Sequence, residues 1–509
     1  MLKGRPRNAR RVLVAQSYFL RFDPKLRRAG QPVPPLGSLI CASVLRDRGF
    51  DVRFFDAMLA ASEEECARAM DRERPDALVI FEDNFNYLTK MCLERMREAA
   101  VRMIAMARGR GIAVIVAGSD ATDEPGFFLG AGATAVASGE AEFSVAEWLE
   151  APDAPPRSIP GIATLGEGGV VETGPPRAPL ADIDSIPSPA WDLIDVEAYR
   201  RIWTRKQGHF SLPLAASRGC PFHCNWCAKP IWGQRYNAMS PARAAREVAT
   251  LKELGAARVN ILDDIFGLKP GWLEDFGAEL VLRNALLPFK CLSRADLLNE
   301  RTVNALAGAG CEMVWIGAES GSQKILDAME KGTTVEEIRS AAARLRAAGI
   351  KAALFLQFGY VGETEEDVSA TLKLVDDVLP DDIGISVSYP LPGTRFHARV
   401  KDEMGKSAHW RDSSDLAMLF GGQHSTPYYR WLHAHAHARF RLARAVHTSE
   451  RPPWRRALMI LRYGTMRLLT AAGLLVASRD RVQVRPLLPE LSRETAATPG
   501  RGLVSPGKP

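Results

Sequence analysis

The stretch SRGCPFHCNWCAKP, residues 217–230, carries Cys220, Cys224 and Cys227 in a C-x3-C-x2-C spacing. Thiolates this close along the chain can face one metal centre. A zinc site normally takes four protein ligands, and a [4Fe–4S] cluster normally takes four cysteines. Three cysteines predict a cluster with one iron open to another ligand. The alternative is zinc completed by His223, although adjacent His223 and Cys224 would strain to reach one tetrahedral ion.

The chain around this stretch repeats a strand-then-helix unit. The predicted strands are 214–218, 258–263, 289–295, 312–318, 351–358 and 382–389. Repeated βα units predict a parallel barrel whose chemistry lies at the carboxyl ends of its strands. The three cysteines follow the first of these strands, where such a barrel places functional residues.

With Trp226 directly before the last cysteine, the motif resembles the signature of the radical S-adenosylmethionine (SAM) superfamily. The resemblance implies a partial (β/α)6 barrel, which we place at residues 206–400, with a [4Fe–4S] cluster on the three cysteines. It also implies that SAM chelates the open iron and is cleaved to a 5′-deoxyadenosyl radical. An electron donor such as flavodoxin or ferredoxin is then expected as a partner.

Polar residues at the other predicted strand ends match positions that hold SAM in that superfamily. The implied SAM contacts are Trp226, Asp264, Ser293, Arg294, Glu319 and Gln357. Asp264 is expected at the ammonium of SAM, Ser293 and Arg294 near its carboxylate, and Glu319 at its ribose or amino group. A zwitterion needs a carboxylate and an arginine, so the set is chemically consistent. The alternative for any one residue is a rim hydrogen bond or a helix cap.

Residues 11–150 alternate short apolar runs with helical patterns. The apolar runs are 11–16, 51–57, 76–81, 112–118 and 133–139. Short strand-like runs separated by helices predict a doubly wound, Rossmann-like parallel sheet. Ligands of such sheets bind at the carboxyl ends of the strands.

Two turns in this first domain resemble those of the cobalamin-binding domains of B12-dependent radical SAM enzymes. They are AGSD at 117–120 and GEAE at 139–142. The implied cobalamin contacts are Gly118, Ser119, Asp120, Gly139 and Glu140. Small residues let the backbone approach a large flat ligand closely. The alternative is a flavodoxin-like domain that binds nothing, or that only recognises substrate.

The first histidine of the chain is His209, so the first domain offers no histidine ligand to cobalt. This resembles the methyltransferase branch of the B12-dependent enzymes, a group related to the anaerobic Mg-protoporphyrin IX monomethyl ester cyclase. The resemblance implies C-methylation of an unactivated carbon on an apolar metabolite, such as a tetrapyrrole, a hopanoid-like lipid or a natural product. A cyclase or rearrangement enzyme and a non-catalytic cobalamin or redox sensor remain as alternatives.

The remaining segments differ in composition. Residues 151–205 are rich in Pro and Gly and predict an extended linker with a hairpin around 167–169. Residues 401–483 are basic and predict helices, including 409–420 and 426–446, that cap the barrel mouth. Residues 484–509 predict disorder.

The segment 452–478 is apolar but is interrupted by Arg462 and Arg467, which disfavours a transmembrane span. It predicts either a basic amphipathic helix at a membrane surface or a helix packed on the barrel.

Composition places the protein in a reducing compartment. Eight cysteines in 509 residues do not make a disulfide framework, and the basic N-terminus lacks the apolar core of a signal peptide. The net charge is +6, but the aromatic interleaving typical of single-strand binding is sparse, so no nucleic acid partner is expected. We expect a cytoplasmic enzyme with a small, apolar substrate and, as an addition, peripheral membrane contact through the C-terminal helix.

Overall fold

The computed structural model describes residues 10–85, 93–227, 231–404, 416–447 and 452–479. Its first sheet has seven strands in the order β2-β1-β3-β4-β5-β6-β7. The strands are β1 (Arg11–Ala15), β2 (Asp51–Phe55), β3 (Ala77–Phe81), β4 (Ala113–Ala117), β5 (Ala135–Ala137), β6 (Ile162–Leu165) and β7 (Val171–Thr173). The first five are parallel, which confirms the predicted doubly wound domain.

Helices pack on both faces of the parallel strands. They are α1 (Pro24–Ala29), α2 (Leu36–Asp47), α3 (Glu64–Glu73), α4 (Glu94–Arg108), α5 (Ser119–Asp123), α6 (Pro125–Gly130) and α7 (Glu142–Glu150). Nearly every residue of α2 is buried, because the helix lies between the sheet and the rest of the molecule. The sequence predicts a helix over 89–111, which contains α4; of this range, residues 89–92 lie outside the described part.

The predicted linker is more ordered than its composition indicates. Its hairpin, β6 and β7, adds two antiparallel strands to the first sheet. Helix α8 (Val196–Gln207) forms where we expected extended chain, because the prolines lie before residue 190. The buried Tyr199 and Trp203 of α8 donate hydrogen bonds to the Asp56 carboxylate and the Pro32 carbonyl. The linker is therefore packed along the first domain.

The second sheet has six parallel strands in chain order, β8-β11-β12-β13-β14-β15, which confirms the partial barrel. The strands of this part are β8 (Ser211–Leu214), β9 (Ser217–Arg218), β10 (Asn237–Ala238), β11 (Arg258–Ile261), β12 (Phe289–Ser293), β13 (Cys311–Glu319), β14 (Lys351–Phe358) and β15 (Asp382–Val387). The first barrel strand ends at Leu214, where we predicted its start. Residues 217–218 instead leave the sheet and pair with 237–238.

Helices alternate with the barrel strands as predicted. They are α9 (Pro241–Glu253), α10 (Trp272–Leu282), α11 (Glu300–Gly308), α12 (Gln323–Ala328), α13 (Val335–Ala347), α14 (Glu365–Val378) and α15 (Arg395–Val400). Side-chain caps fix several of their starts; Thr334, for example, forms a capping box with Glu337 at the start of α13.

Helix α16 (Thr426–His447) lies along the open edge of the barrel and is not the lid that we predicted. Its first turn reaches the mouth, where Tyr429 lies against Gly359. Further along, Arg439 pairs with Asp376 and Arg444 with Asp381. The helix thereby covers β15, the edge strand of the sheet. Of the helix predicted over 409–420, residues 409–415 lie outside the described part and 416–420 are not helical.

Helix α17 (Pro453–Ala477) packs one face on α16 and exposes the other. The Trp431 indole lies over Gly473, and His435 contacts the Thr470 hydroxyl at 3.3 Å. Despite its arginines, α17 is long and apolar enough to cross a membrane, judged by length and composition alone. Its most apolar stretch of 18 residues has a mean hydropathy of 1.3, and only 6% of that stretch is buried.

The two sheets share one continuous apolar core. Phe85, which follows β3, stacks on Trp232 of the barrel at a ring-centroid distance of 4.9 Å. Leu36 and Ile40 of α2 belong to the same cluster as Leu214. The loops after the strands of both domains therefore meet at one interface.

Candidate active site

A cavity of about 270 Å³ lies where the loops of the two domains meet. Its walls come from α5, the cysteine loop and the segment before α15. The lining residues are Asp123, His223, Cys224, Asn225, Cys227, Gly233, Gln234, Pro392, Gly393, Thr394 and Arg395. Two of the three cysteines thus face a space that is shared with the first domain.

Asp263 holds the start of the cysteine loop to the barrel. Its carboxylate accepts a hydrogen bond from the Ala216 amide at 2.8 Å and another from the Ser217 hydroxyl. Burial raises the pKa of Asp263 to about 7, although these hydrogen bonds lower it. This contact turns the chain out of β8 and toward Cys220.

Asn225 holds the end of the loop. Its side-chain amide donates to the Ala328 carbonyl at 2.8 Å and accepts from the Tyr360 hydroxyl at 2.8 Å. Its own carbonyl accepts from the amide of Phe396. Trp226 packs against the apolar cluster that contains Tyr360 and Phe396. The loop is therefore fixed between the ends of three barrel elements, and a SAM contact by Trp226 stays a prediction.

Two cations lie close to the thiols. The Arg294 guanidinium stacks on Phe222 at 3.8 Å, lies 3.8 Å from Cys224 Sγ and pairs with Asp296 at 3.0 Å. Lys331 Nζ donates to Glu319 Oε1 at 2.8 Å, and both side chains are buried. Burial lowers the pKa of Lys331, but the charges of Glu319 and Cys224 outweigh it, so this pKa is raised. Two positive charges thus lie beside Cys224 in the cysteine loop.

Glu319 has a strained backbone. Its φ is +58°, in the left-handed region, and the register of β13 against β14 shifts between Gly317 and Glu319. A non-glycine residue there costs of order 1–3 kcal/mol. A Cβ on Gly317 would lie 2.8 Å from Lys331 Nζ. The bulge and the glycine together make room for the buried ion pair.

Four of the predicted SAM contacts lie at the ends of adjacent strands. Ser293 ends β12 and Arg294 follows it, Glu319 ends β13, and Gln357 near the end of β14 donates to Ser388 Oγ at 2.9 Å. Asp264 is half-buried beside the fully buried Asp263. The fold brings the set to one edge of the barrel. Their contacts with SAM remain predictions.

Small residues line the ends of β4 and β5, as the resemblance implied. Gly118 has a φ of +148°, and a Cβ there would lie 2.7 Å from the Glu82 side chain, so only glycine fits. The Gly139 amide donates to Thr122 Oγ1 at 3.0 Å. Ser119 is buried, with its hydroxyl 3.3 Å from Asn84 Oδ1.

The acidic residues of these turns contact protein groups. The Asp120 carboxylate accepts two hydrogen bonds from Arg97 at 2.6 Å. The Glu140 carboxylate accepts from Arg218 at 2.9 Å and from the Leu180 amide. A cobalamin contact by either side chain stays a prediction that would require these bonds to be shared.

Sequence reasoning missed Glu82, which lies between Gly118 and Ser17. Burial raises its pKa to about 7. One oxygen accepts from the Ser17 amide and hydroxyl, and the other has no hydrogen-bond partner in the described structure. An orphaned buried oxygen beside a forced glycine fits a domain that receives a polar ligand. No pattern in the sequence distinguishes Glu82 from other acids after strands.

Asp123 was also missed, although it lines the shared cavity. Burial, with Asp120 and Glu124, raises its pKa to about 7. Asn225 and Lys331 were missed as well: Asn225 lies inside the quoted motif, whereas nothing local indicates that Lys331 is buried.

Within the described ranges, no three His, Cys, Asp or Glu side chains converge closely enough to ligate a single ion. Three thiols on one loop, two of which line the cavity, are a donor set that a [4Fe–4S] cluster with one open iron would take.

The family comparison agrees with this arrangement. Residues 214–375 match the family described as the Radical SAM superfamily. This part of the chain is a radical SAM domain. It contains the three cysteines, the strand ends from β11 to β14, and the Lys331–Glu319 pair.

Similar proteins extend the likeness beyond the radical SAM domain. An uncharacterized methyltransferase of Pyrococcus horikoshii is 27% identical over 79% of this chain and 86% of its own length. The hopanoid C-3 methylase of Methylococcus capsulatus is 26% identical over 71% and 67%. The anaerobic magnesium-protoporphyrin IX monomethyl ester cyclase of Rubrivivax gelatinosus is 27% identical, but over only 48% of this chain and 44% of that enzyme.

Two solved structures share the fold. The radical SAM methyltransferase TsrM from Kitasatospora setae, with cobalamin and a [4Fe–4S] cluster, has a TM-score of 0.65 at 20% identity, covering 78% of this chain and 75% of its own. The cobalamin-dependent enzyme OxsB, with aqua-cobalamin and SAM, has a TM-score of 0.69 at 14% identity, covering 92% and 72%. At these identities the likeness concerns the fold.

Proposed function

We propose that the protein is a cobalamin-dependent radical SAM enzyme that methylates an unactivated carbon of an apolar metabolite. The observation that carries this proposal is the shared cavity, in which the cysteine loop faces Asp123 of α5, the short helix that follows β4 in the first domain. The likeness to a methyltransferase and to a hopanoid methylase supports the reaction class. The likeness to TsrM and OxsB supports a corrinoid in the first domain.

The chain's own residues bind, orient and exclude water. Cys220, Cys224 and Cys227 would hold the cluster, and the charges of Arg294 and Lys331 lie beside Cys224. When bound, the cluster supplies the electron that cleaves SAM, and cobalamin carries the methyl group. Gly118 and Gly139 would admit the face of the corrinoid, and Ser119, Asp120 and Glu140 would border it.

The experiment is anaerobic reconstitution with iron, sulfide and hydroxocobalamin, then metal analysis and incubation with methyl-labelled SAM. We expect about four irons and one cobalt per chain, with 5′-deoxyadenosine formed by the reduced protein. The variant Cys224→Ser should lose iron and SAM cleavage, whereas Cys66→Ala, which removes a buried thiol of the first domain, should keep both. Iron without cobalt would contradict the corrinoid, and no 5′-deoxyadenosine would favour a non-catalytic sensor.

A second candidate is a cyclase or rearrangement enzyme of the Mg-protoporphyrin ester cyclase type. The likeness to that cyclase over about half of this chain favours it. If 5′-deoxyadenosine forms while the labelled methyl group enters no product, this candidate replaces methylation. A flavodoxin or ferredoxin is the electron donor that either reaction requires.

We also propose that this cytoplasmic enzyme contacts an anionic membrane surface through α17. The exposed face of α17 is an apolar stripe: Trp454, Leu458, Leu461, Leu468, Leu469, Leu475 and Val476, each at least 58% exposed. Arg455, Arg462 and Arg467 are exposed beside it, and residues 452–479 contain no acid. Soluble proteins rarely expose such a continuous patch. Apolar residues with flanking arginines suit the headgroup region of an anionic bilayer.

A position of α17 on the membrane surface explains its packing better than a transmembrane position does, because the other face of α17 already packs against α16. It also suits a substrate that dissolves in lipid. Sedimentation with phosphatidylglycerol vesicles tests the contact. Leu461→Asp should weaken binding about tenfold, whereas Leu282→Asp, at a leucine on α10 that is at least as exposed, should not. Absence of binding would contradict the proposal, dimer loss in Leu461→Asp would assign the stripe to a second copy, and resistance to carbonate extraction would indicate a span.

A further inference from the structure

A buried ion-pair cluster joins the first domain to the cysteine loop. Arg218 donates to Glu140 Oε1 at 2.9 Å and to Glu142 Oε1 at 2.7 Å. The three side chains are 4%, 5% and 7% exposed. Burial lowers the pKa of Arg218, but the two carboxylates raise it by more, so the guanidinium stays charged. One cation thus holds two carboxylates of the other domain out of water.

The cluster connects two segments that border the proposed active site. Both carboxylates belong to the turn 139–142 after β5, and Arg218 precedes Cys220 by two residues. Between them, Gly219 has a φ of +81°, and a Cβ there would lie 2.3 Å from the Arg235 carbonyl oxygen. The chain from Arg218 to Cys220 is therefore confined, and a movement of Arg218 carries Cys220 with it.

The surroundings leave this cluster little freedom. The second oxygen of Glu140 accepts from the Leu180 amide, so both of its oxygens are used within the protein. The Arg218 guanidinium lies 5.7 Å from the centre of the Phe85 ring, which stacks on Trp232. The carboxylates and the aromatic ring around the Arg218 guanidinium, from Glu140, Glu142 and Phe85, thus all belong to the first domain.

We propose that Arg218 is a positioning residue that fixes the cysteine loop against the turn 139–142. It thereby sets the separation between the cluster side and the corrinoid side of the cavity; this last step rests on the proposed function. Arginine suits the task because its planar fork reaches two carboxylates at once, whereas a lysine ammonium is a point charge. Without these two ion pairs, SAM cleavage at the cysteine loop would continue, but it would less often be followed by reaction at the corrinoid of the first domain.

The test compares Arg218→Lys with Tyr199→Phe. The control removes another buried hydrogen bond with the first domain, from Tyr199 to Asp56 at 2.9 Å, away from the cysteine loop. The first readout is the alkylation rate of Cys220 by iodoacetamide in the anaerobic apoprotein, followed by mass spectrometry. We expect about a tenfold faster rate in Arg218→Lys, because the loop opens more often, and an unchanged rate in Tyr199→Phe.

The second readout is the magnetic interaction between the reduced cluster and cob(II)alamin in the reconstituted protein, measured by electron paramagnetic resonance. This interaction depends on the separation of the two centres and needs no substrate. In Arg218→Lys we expect the interaction to weaken, or its spectral lines to broaden. In Tyr199→Phe the interaction should stay as in wild type, and the iron content should stay the same in both variants.

A folded variant with wild-type alkylation of Cys220 and an unchanged magnetic interaction would overturn the proposal. If Arg218→Lys fails to fold, the uncharged combination Arg218→Met with Glu140→Gln and Glu142→Gln replaces it, because it leaves no unpaired buried charge. The same two readouts apply, with the same expectation. A wild-type protein that binds no cobalt would refute the proposed function alone, since alkylation of Cys220 still tests the clamp.

Discussion

The pair Lys331–Glu319 places two opposite charges in the barrel interior beside the cysteine loop. An ion pair this buried is costly to break, because the remaining charge has no solvent. Its effect on stability can be measured without any cofactor.

Lys331→Met should lower the free energy of unfolding of the apoprotein by about 3–5 kcal/mol, because Glu319 is left buried and unpaired. Adding Glu319→Gln should recover most of that loss. The control Arg46→Met removes a pair with Asp192 whose side chains are 36% and 68% exposed, and should cost less than about 1 kcal/mol. Guanidinium unfolding measures all three, and equal losses from Lys331→Met and Arg46→Met would contradict the argument.

Glu363 predicts a pH dependence. Burial raises the pKa of this carboxyl from 4.5 to about 8, although the Gly359 amide lowers it. The folded state therefore keeps the proton up to about pH 8, whereas the unfolded state releases it near its ordinary pKa. Raising the pH through this window favours the unfolded state.

Glu363→Gln should remove this component, so its advantage over wild type should grow by about 3–5 kcal/mol between pH 4.5 and pH 8.5. Urea unfolding of the apoprotein at both pH values measures the difference. Because Glu82 and Asp263 titrate with the same sign in both proteins, only the difference between the two proteins is diagnostic. A constant difference would show that Glu363 is ionised in the folded protein.

At the scale of elements, the cysteine loop has no regular structure of its own and depends on what surrounds it. Asp263 anchors its start and Asn225 its end, so the thiols are positioned by the barrel. Groups that orient metal ligands typically change affinity by 10–100-fold when they are removed.

Asn225→Ala should keep all three cysteines but release iron to a chelator about tenfold faster than wild type. The matched control is Asn299→Ala, which removes the side-chain cap of α11 at 2.9 Å from the Thr302 amide. Both variants should lose about 1–2 kcal/mol of stability, but only Asn225→Ala should change the rate of iron release. Equal rates in the two variants would assign Asn225 a purely structural role.

At the scale of the molecule, the two sheets share one apolar core and the linker is packed on the first domain. A large apolar interface makes domains unfold together. The apoprotein should therefore show one calorimetric transition, with equal van't Hoff and calorimetric enthalpies. Two separated transitions would mean that the interface contributes little, and would weaken the argument for a rigid clamp at Arg218.

The sequence alone was sufficient for the doubly wound sheet, the partial barrel and the position of the cysteine loop after the first barrel strand. Short-range patterns in the sequence predict each of these features: apolar runs five to eight residues long and three cysteines within eight positions. The errors of the prediction from sequence were also local. The first barrel strand was placed at 214–218, because nothing in that run reveals that Asp263 turns the chain away, and α8 was missed because the prolines before it dominated the composition.

Only the tertiary structure decided which polar residues meet. Arg218 and Glu140 are 78 residues apart, and their pairing depends on how two independently patterned domains dock. The position of α16 along the barrel edge is also decided by docking, because the sequence of an amphipathic helix does not indicate which apolar surface will cover it. The periodicity of apolar residues along a helix or strand indicates which of its sides is buried. The partner it is buried against is selected by packing and by the cost of leaving a charge unpaired.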